Sequence, residues 1–253
     1  MDANMVIFDL DGTLIDTIGD LAAAVEHALS QGGFPGHTVG EYRNMVGHGI
    51  RNLVTRALPE GSPDDVIDVT LERFVEYYTE HIDVLSRPYP GIPELLGTLV
   101  SEGFTLAVAS NKFQEGTESL IRRFFPDIPF VKILGNAPGL PLKPDPEVIR
   151  LAIAAACHSL NEAGVATGQR PYSAAAKREW TRPRPGGDPV TPATAAVMVG
   201  DSATDIKTAR NAGIPAIAVS WGFRPRADLE IADAIADTPE QLGDFIRIFA
   251  GKN

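Results

Sequence analysis

Met5-Val6-Ile7-Phe8-Asp9-Leu10-Asp11-Gly12-Thr13-Leu14 joins an unbroken apolar run to two aspartates and a glycine. An apolar run without polar alternation suits a strand buried on both faces, as in a parallel sheet. Side chains two residues apart leave a strand on the same side, so Asp9 and Asp11 can face one reacting atom. Asp9 then suits a nucleophile. Asp11 suits a general acid that protonates a leaving alkoxide and afterwards activates water. Gly12 permits a turn in which backbone N–H groups approach a phosphate, and Thr13 adds a hydroxyl. An isolated Asp-x-Asp would be a solvated turn or a calcium-type loop. The strand directly before this pair and the Gly-Thr after it favour the reactive reading.

Working outward, three more apolar runs share this character: Phe104 to Ala109, Ala195 to Val199 and Ile214 to Val219. Helical periodicity between them predicts an α/β fold around a parallel sheet. Ligands of such sheets bind beyond the carboxyl ends of the strands, so Asp9, Ser110 and Asp201 are expected in one crevice. About ninety residues separate the first two runs, far more than one crossover helix needs. Helices are expected from Asp16 to Ser30, and from Ser62 (N-cap) and Pro63 (first turn) to about His81. Residues 15–87 thus read as an inserted all-helical cap, and 1–14 with 88–253 as the core. The string Ser86-Arg87-Pro88-Tyr89-Pro90-Gly91 suits a hinge at its exit. Residues of about 158–194, rich in proline, glycine and arginine, read as a surface excursion.

Further strings supply polar groups. Ser110 and Asn111 follow the second strand, where a hydroxyl and adjacent amides suit a phosphoryl oxygen. Lys143 in Leu142-Lys143-Pro144-Asp145-Pro146 suits charge neutralisation, with a helix starting at Asp145-Pro146. Gly200-Asp201-Ser202-Ala203-Thr204-Asp205 places two carboxylates after the third strand. Magnesium takes hard oxygen ligands and keeps several waters, so Asp9, Asp201 and the main-chain carbonyl of Asp11 would suffice. Asp205, one turn on, would reach the metal through water or orient Lys143. As isolated features, Ser110-Asn111 would be a turn, Lys143 a surface charge and Asp201 a helix cap.

The whole chain has 253 residues, 44% hydrophobic, and a formal net charge of -11. Such a chain has no electrostatic footprint for nucleic acid or for an anionic membrane surface. A phosphate ester binds it only where local cations or a metal overturn the global field. Cys157 is the only cysteine, so no intramolecular disulfide forms. The N-terminal residues lack the pattern of a signal peptide, and a cytoplasmic location is expected, as a monomer or homodimer.

In chain order, FDLDGT, Ser110 after a strand, Lys143 in KPDP, and GDSATD resemble the four motifs of the haloacid dehalogenase superfamily. The match runs from Met5 to Phe249 apart from the proline-rich excursion. It implies a Rossmann-like core with a helical cap inserted after the first motif. By this resemblance Asp9 is nucleophile and magnesium ligand, Asp11 acid/base and carbonyl ligand, Ser110 and Lys143 phosphate holders, and Asp201 a metal ligand. Within the superfamily, VGHGIRNLVTRAL and ASNK are similar to bacterial phosphoglycolate phosphatases. His48 and Arg51 then fall where a cap closes over the leaving group, with Arg51 against a carboxylate such as that of glycolate. The alternative is a glycine-broken turn with both on the surface.

The expected activity is therefore magnesium-dependent hydrolysis of a small phosphorylated metabolite, 2-phosphoglycolate foremost, through an aspartyl-phosphate on Asp9. A sugar phosphomutase similar to β-phosphoglucomutase, a pyrophosphatase and a broad-range sugar-phosphate phosphatase share these motifs. Haloacid dehalogenases need no donor like Asp11. Phosphonoacetaldehyde hydrolases use a cap lysine, and residues 15–87 contain none. A non-enzymatic binding protein would be expected to have lost a motif residue, and all are present.

Overall fold

The computed structural model describes residues 4–166 and 196–251. In chain order, β1 (Met5–Phe8) and β2 (Ile15–Asp16) lead into helices α1 (Ile18–Gln31), α2 (Val39–Met45), α3 (Ile50–Ala57) and α4 (Asp64–Glu80). Then come β3 (Arg87–Pro88), α5 (Ile92–Ser101), β4 (Thr105–Phe113), α6 (Gln114–Phe124), β5 (Lys132–Asn136) and α7 (Glu147–Ala166). The last elements are β6 (Ala196–Gly200), α8 (Ala203–Ala212), β7 (Ala216–Val219), β8 (Ala234–Ala236) and α9 (Pro239–Phe249). Six strands form one parallel sheet in the order β5-β4-β1-β6-β7-β8.

The period of two along β1 decides which core each side chain joins. Met5 and Ile7 pack with Ile149 and Ala152 of α7 and Ile206 of α8. Val6 and Phe8 face the other way, onto the layer containing Leu96 of α5, Leu120 of α6 and Leu242 of α9. Burial on both sides is why these strands read as unbroken apolar runs. Phe8 stands level with Val108 of β4 and Val199 of β6, so the chain leaves these three strands side by side.

The antiparallel pair β2–β3 joins the two ends of the four-helix segment, with Ile15 opposite Pro88 and Asp16 opposite Arg87. Just inside it, buried Asp20 accepts hydrogen bonds from Leu85 N (2.8 Å), Ser86 N (2.7 Å) and Ser86 Oγ (2.6 Å). One carboxylate thus ties entry and exit of a long excursion at a single point. Leu21, Val25, Tyr42, Val54, Phe74 and Tyr78 extend the apolar cluster into these helices.

Several expectations shift. The second long helix begins at Asp64 with Pro63 as N-cap, and Ser62 Oγ donates to Pro59 O instead of capping. Strand β4 continues past Ala109 to Phe113, with its pairing to β5 shifted between them, so Ser110 and Asn111 lie within an irregular strand. The edge strands β5 and β8 and the β2–β3 ribbon were not anticipated from apolar runs. The helix expected at Asp145-Pro146 starts at Glu147, whose N–H donates to Asp145 Oδ1 at 2.9 Å. Of the expected proline-rich excursion, 158–166 continue α7 in backbone, because no proline interrupts the chain before Pro171. Residues 167–194 lie outside the described residues. Among the described residues, no helix is long and apolar enough to cross a membrane.

Candidate active site

At the carboxyl end of β1, Asp9 N extends the ladder to Val199 O (2.8 Å), which fixes where the side chain emerges. Asp9 Oδ1 accepts from Lys143 Nζ at 2.7 Å. The same ammonium donates to Asp205 Oδ1 (2.7 Å) and Ala109 O (2.8 Å), so all three of its N–H groups are used. Asp201 follows β6, and its Oδ2 accepts from Phe223 N at 2.6 Å. Gly12 takes a positive φ of 82°. A Cβ there would lie 2.4 Å from Asp201 Oδ2, so only glycine lets this turn touch the second carboxylate.

Asp9, Asp201 and Asp205 each offer an oxygen within 4.8 Å of the others, and all three are buried. Burial pushes the Asp9 carboxyl up to about 7, although Lys143 pulls it down. Asp201 is pushed well above the usual carboxylate range, by burial first and then by Asp205 and Asp9. Burial works against the Lys143 ammonium, but Asp205 and Asp9 outweigh it and hold its pKa above that of an ordinary lysine. When all three are ionised, three carboxylates against one ammonium leave two uncompensated negative charges in a buried, all-oxygen donor set. That residue matches a hard divalent cation in charge and in ligand type. Asp205 already spends both oxygens, Oδ1 on Lys143 and Oδ2 on Ser202 N (3.1 Å) and Oγ (2.6 Å). This favours its orienting Lys143 over direct ligation.

Asp11 emerges on the same side as Asp9. Its Oδ1 accepts from Thr17 Oγ1 at 2.7 Å and from Lys112 Nζ at 3.3 Å. Lys112 also donates to Tyr78 OH of α4 at 2.5 Å and stands 4.6 Å from the centre of that ring. Burial lowers the Lys112 pKa, with Asp11 opposing it. Asp9, Asp11, Lys112, Lys143, Asp201 and Asp205 line a cavity of about 610 Å³, counting space open to solvent. The four-helix segment supplies its apolar side through Leu21, Val46, Ile50 and Leu53.

Three polar ties hold that segment over the strand ends. Asn111 Nδ2 donates to Gly47 O at 3.0 Å, Lys112 reaches Tyr78, and Arg224 donates to the carbonyls of Arg43 and Val46. Asn111 was expected to hold a phosphoryl oxygen. Its amide is instead committed to protein, with Oδ1 accepting from Lys143 N (2.8 Å) and Nδ2 also donating to Lys143 O (3.1 Å).

Ser110 is buried at the cavity, with its Oγ accepting from Lys112 N at 3.2 Å. Thr13 is fully buried away from the cavity lining, and its Oγ1 finds no partner among the described residues. His48 and Arg51 do not line the cavity either. Arg51 pairs with Asp64 and Asp68 of α4 on the outer surface, its side chain half exposed. At 100° per residue, turning Ile50 and Leu53 inward rotates Arg51 away. His48 is exposed between Gly47 and Gly49, both at positive φ. The expected carboxylate contact by Arg51 is therefore not what this geometry provides. Lys112, Tyr78, Thr17 and Arg224 were missed. Lys112 sits beside Ser110-Asn111 in sequence, but no local pattern marks the other three.

Comparison with known proteins agrees with this geometry. Residues 6–165 match the haloacid dehalogenase-like hydrolase model, and residues 143–245 match a second, HAD-hydrolase-like model. A phosphoglycolate phosphatase of Mesorhizobium japonicum is 34% identical, covering 89% of this chain and 86% of its own length. One from Agrobacterium fabrum is also 34% identical, covering 93% and 91%. A crystal structure from Lactobacillus delbrueckii subsp. bulgaricus, provisionally assigned as a phosphoglycolate phosphatase, superposes with a TM-score of 0.75. It is 30% identical and is covered over 99% of its chain and 97% of this one. With these strands, these four motif positions and these relatives, the chain belongs to the haloacid dehalogenase-like hydrolase family.

Proposed function

We infer that this chain is a magnesium-dependent phosphomonoesterase whose substrate is 2-phosphoglycolate, acting through an aspartyl-phosphate on Asp9, with residues 15–87 as its cap. The observation that carries this reading is the convergence on Lys143 Nζ of Asp9 and Asp205 at 2.7 Å, with Asp201 in the same buried cluster. The substrate assignment is supported by the names of the relatives.

In this mechanism Asp9 Oδ2, free of hydrogen bonds among the described residues, attacks phosphorus while Lys143 holds Oδ1. Asp11, its Oδ1 held by Thr17 and Lys112, gives a proton from Oδ2 to the departing alkoxide. As a carboxylate it then takes a proton from water, whose oxygen attacks the phosphorus and returns Asp9 and inorganic phosphate. Ser110 and Lys143 hold phosphoryl oxygens, and Asn111 fixes the Lys143 backbone. Asp9, Asp201 and the Asp11 carbonyl hold magnesium, which supplies positive charge for the phosphoryl oxygens and the nucleophile. Residues 15–87 exclude bulk water and limit the leaving group to a small one.

A screen of phosphate release with magnesium over 2-phosphoglycolate, pyrophosphate and several sugar phosphates tests this. Turnover greatest on 2-phosphoglycolate supports it. Conversion of β-glucose 1-phosphate to glucose 6-phosphate would replace it with the mutase reading.

A further inference from the structure

The cavity is lined by one buried cation, Lys112, that the mechanism above uses only to hold Asp11. Lys143 has all three donors occupied, and Arg224 is only half-buried and ties the carbonyls of Arg43 and Val46 through its two terminal nitrogens. Lys112 differs. The described residues offer its three N–H groups only two acceptors, Tyr78 OH and Asp11 Oδ1, the latter at a long 3.3 Å. Its side chain is 2% exposed, and it lines the cavity beside apolar Leu21 and Leu53. A buried ammonium with a spare donor at the wall of a cavity is matched by an anionic acceptor within it.

We propose that Lys112 determines specificity by receiving a carboxylate that the substrate carries one methylene from its leaving oxygen. The proposal rests on the phosphomonoesterase reading. Asp11 faces the leaving oxygen in that reading, and Lys112 Nζ stands 3.3 Å from Asp11 Oδ1 and lines the same cavity, within reach of a group attached to that oxygen. Tyr78 of α4 accepts a hydrogen bond from the ammonium and acts as a positioning residue. Arg51, the cation expected from sequence for this task, is turned outward to Asp64 and Asp68.

The test is steady-state kinetics with magnesium on 2-phosphoglycolate and on 2-hydroxyethyl phosphate, which keeps the phosphate and the chain length but is neutral at the far end. The unaltered enzyme should strongly prefer 2-phosphoglycolate. Lys112→Met should cut kcat/KM for 2-phosphoglycolate on the order of 100-fold more than that for 2-hydroxyethyl phosphate, with this excess mostly in KM, while any loss through Asp11 lowers kcat on both substrates alike. Tyr78→Phe, which keeps the ring and the charge, should move the same ratio in the same direction by a smaller factor. Equal losses on both substrates, or no preference in the unaltered enzyme, would overturn the proposal and leave the phosphatase reading standing. Failure to release phosphate from any monoester would bring down both.

Discussion

Asn111 grips the peptide unit of Lys143 from both sides, its Oδ1 accepting from Lys143 N at 2.8 Å and its Nδ2 donating to Lys143 O at 3.1 Å. The ammonium that organises the carboxylate cluster is therefore aimed by a residue of β4 that lies 32 positions earlier in the chain. Asn111→Ala should lower kcat by about 10- to 100-fold through misplacement of Lys143, with a smaller change in KM. A variant with unchanged kcat would show that Lys143 needs no such brace.

Asp9→Asn should lower phosphate release by at least about 1,000-fold, because the nucleophile is gone. Stability should move the other way. With the folded pKa raised to about 7 from an ordinary 3.8, folded Asp9 keeps a proton that the unfolded chain has lost within that window. Its contribution to metal-free stability thus declines as pH rises through the window and is at its worst above 7. Thermal melts without metal should show Asn raising the midpoint at pH 8 and changing it little at pH 4.

Magnesium must displace the proton that burial retains on Asp9, and Asp201 is shifted in the same direction. Affinity should therefore be weak at pH 6 and climb as pH rises through 7, with proton release on binding. Calorimetry in buffers of different ionisation enthalpy measures both. EDTA should abolish turnover, with magnesium but not calcium restoring it, since magnesium takes the tight octahedral coordination that calcium does not. A pH-independent affinity would contradict the buried-carboxylate account.

Gly12→Ala combines a positive φ of 82° with a Cβ only 2.4 Å from Asp201 Oδ2. It should cost on the order of 1–3 kcal/mol in denaturant unfolding and weaken magnesium binding at the same time. Loss of stability with intact metal affinity would mean that Asp201 relaxes without consequence.

Arg51→Ala should leave kcat/KM on 2-phosphoglycolate within about twofold of the unaltered enzyme, since surface pairs on helices contribute little. A loss near 100-fold would show that Arg51 swings in from Asp64 and Asp68 when substrate binds.

Much of this site was legible because short-range rules place it. Asp9 and Asp11 follow β1 directly and line one cavity, and parallel strands set side by side bring Asp9, Ser110 and Asp201 to one edge. The edge strands escaped notice for an equally physical reason. Lys132–Asn136 offers only Ile133 and Leu134 as large apolar residues, and Ala234–Ala236 is three residues long. Arg51 went astray because a glycine-rich string gives a residue's neighbourhood without its rotation about the helix axis.

Sequence alone determined the parallel core and the order in which its acidic, hydroxyl and lysine motifs meet the strand ends, since periodicity and local turn chemistry act over a few residues. Only the folded chain decided which cations face inward. The pairing of Lys112 with Asp11 spans 101 positions, and the bond from Lys112 to Tyr78 spans 34. Such pairings depend on how the helices of 15–87 seat on the sheet, a matter of packing across the whole molecule that no local pattern encodes.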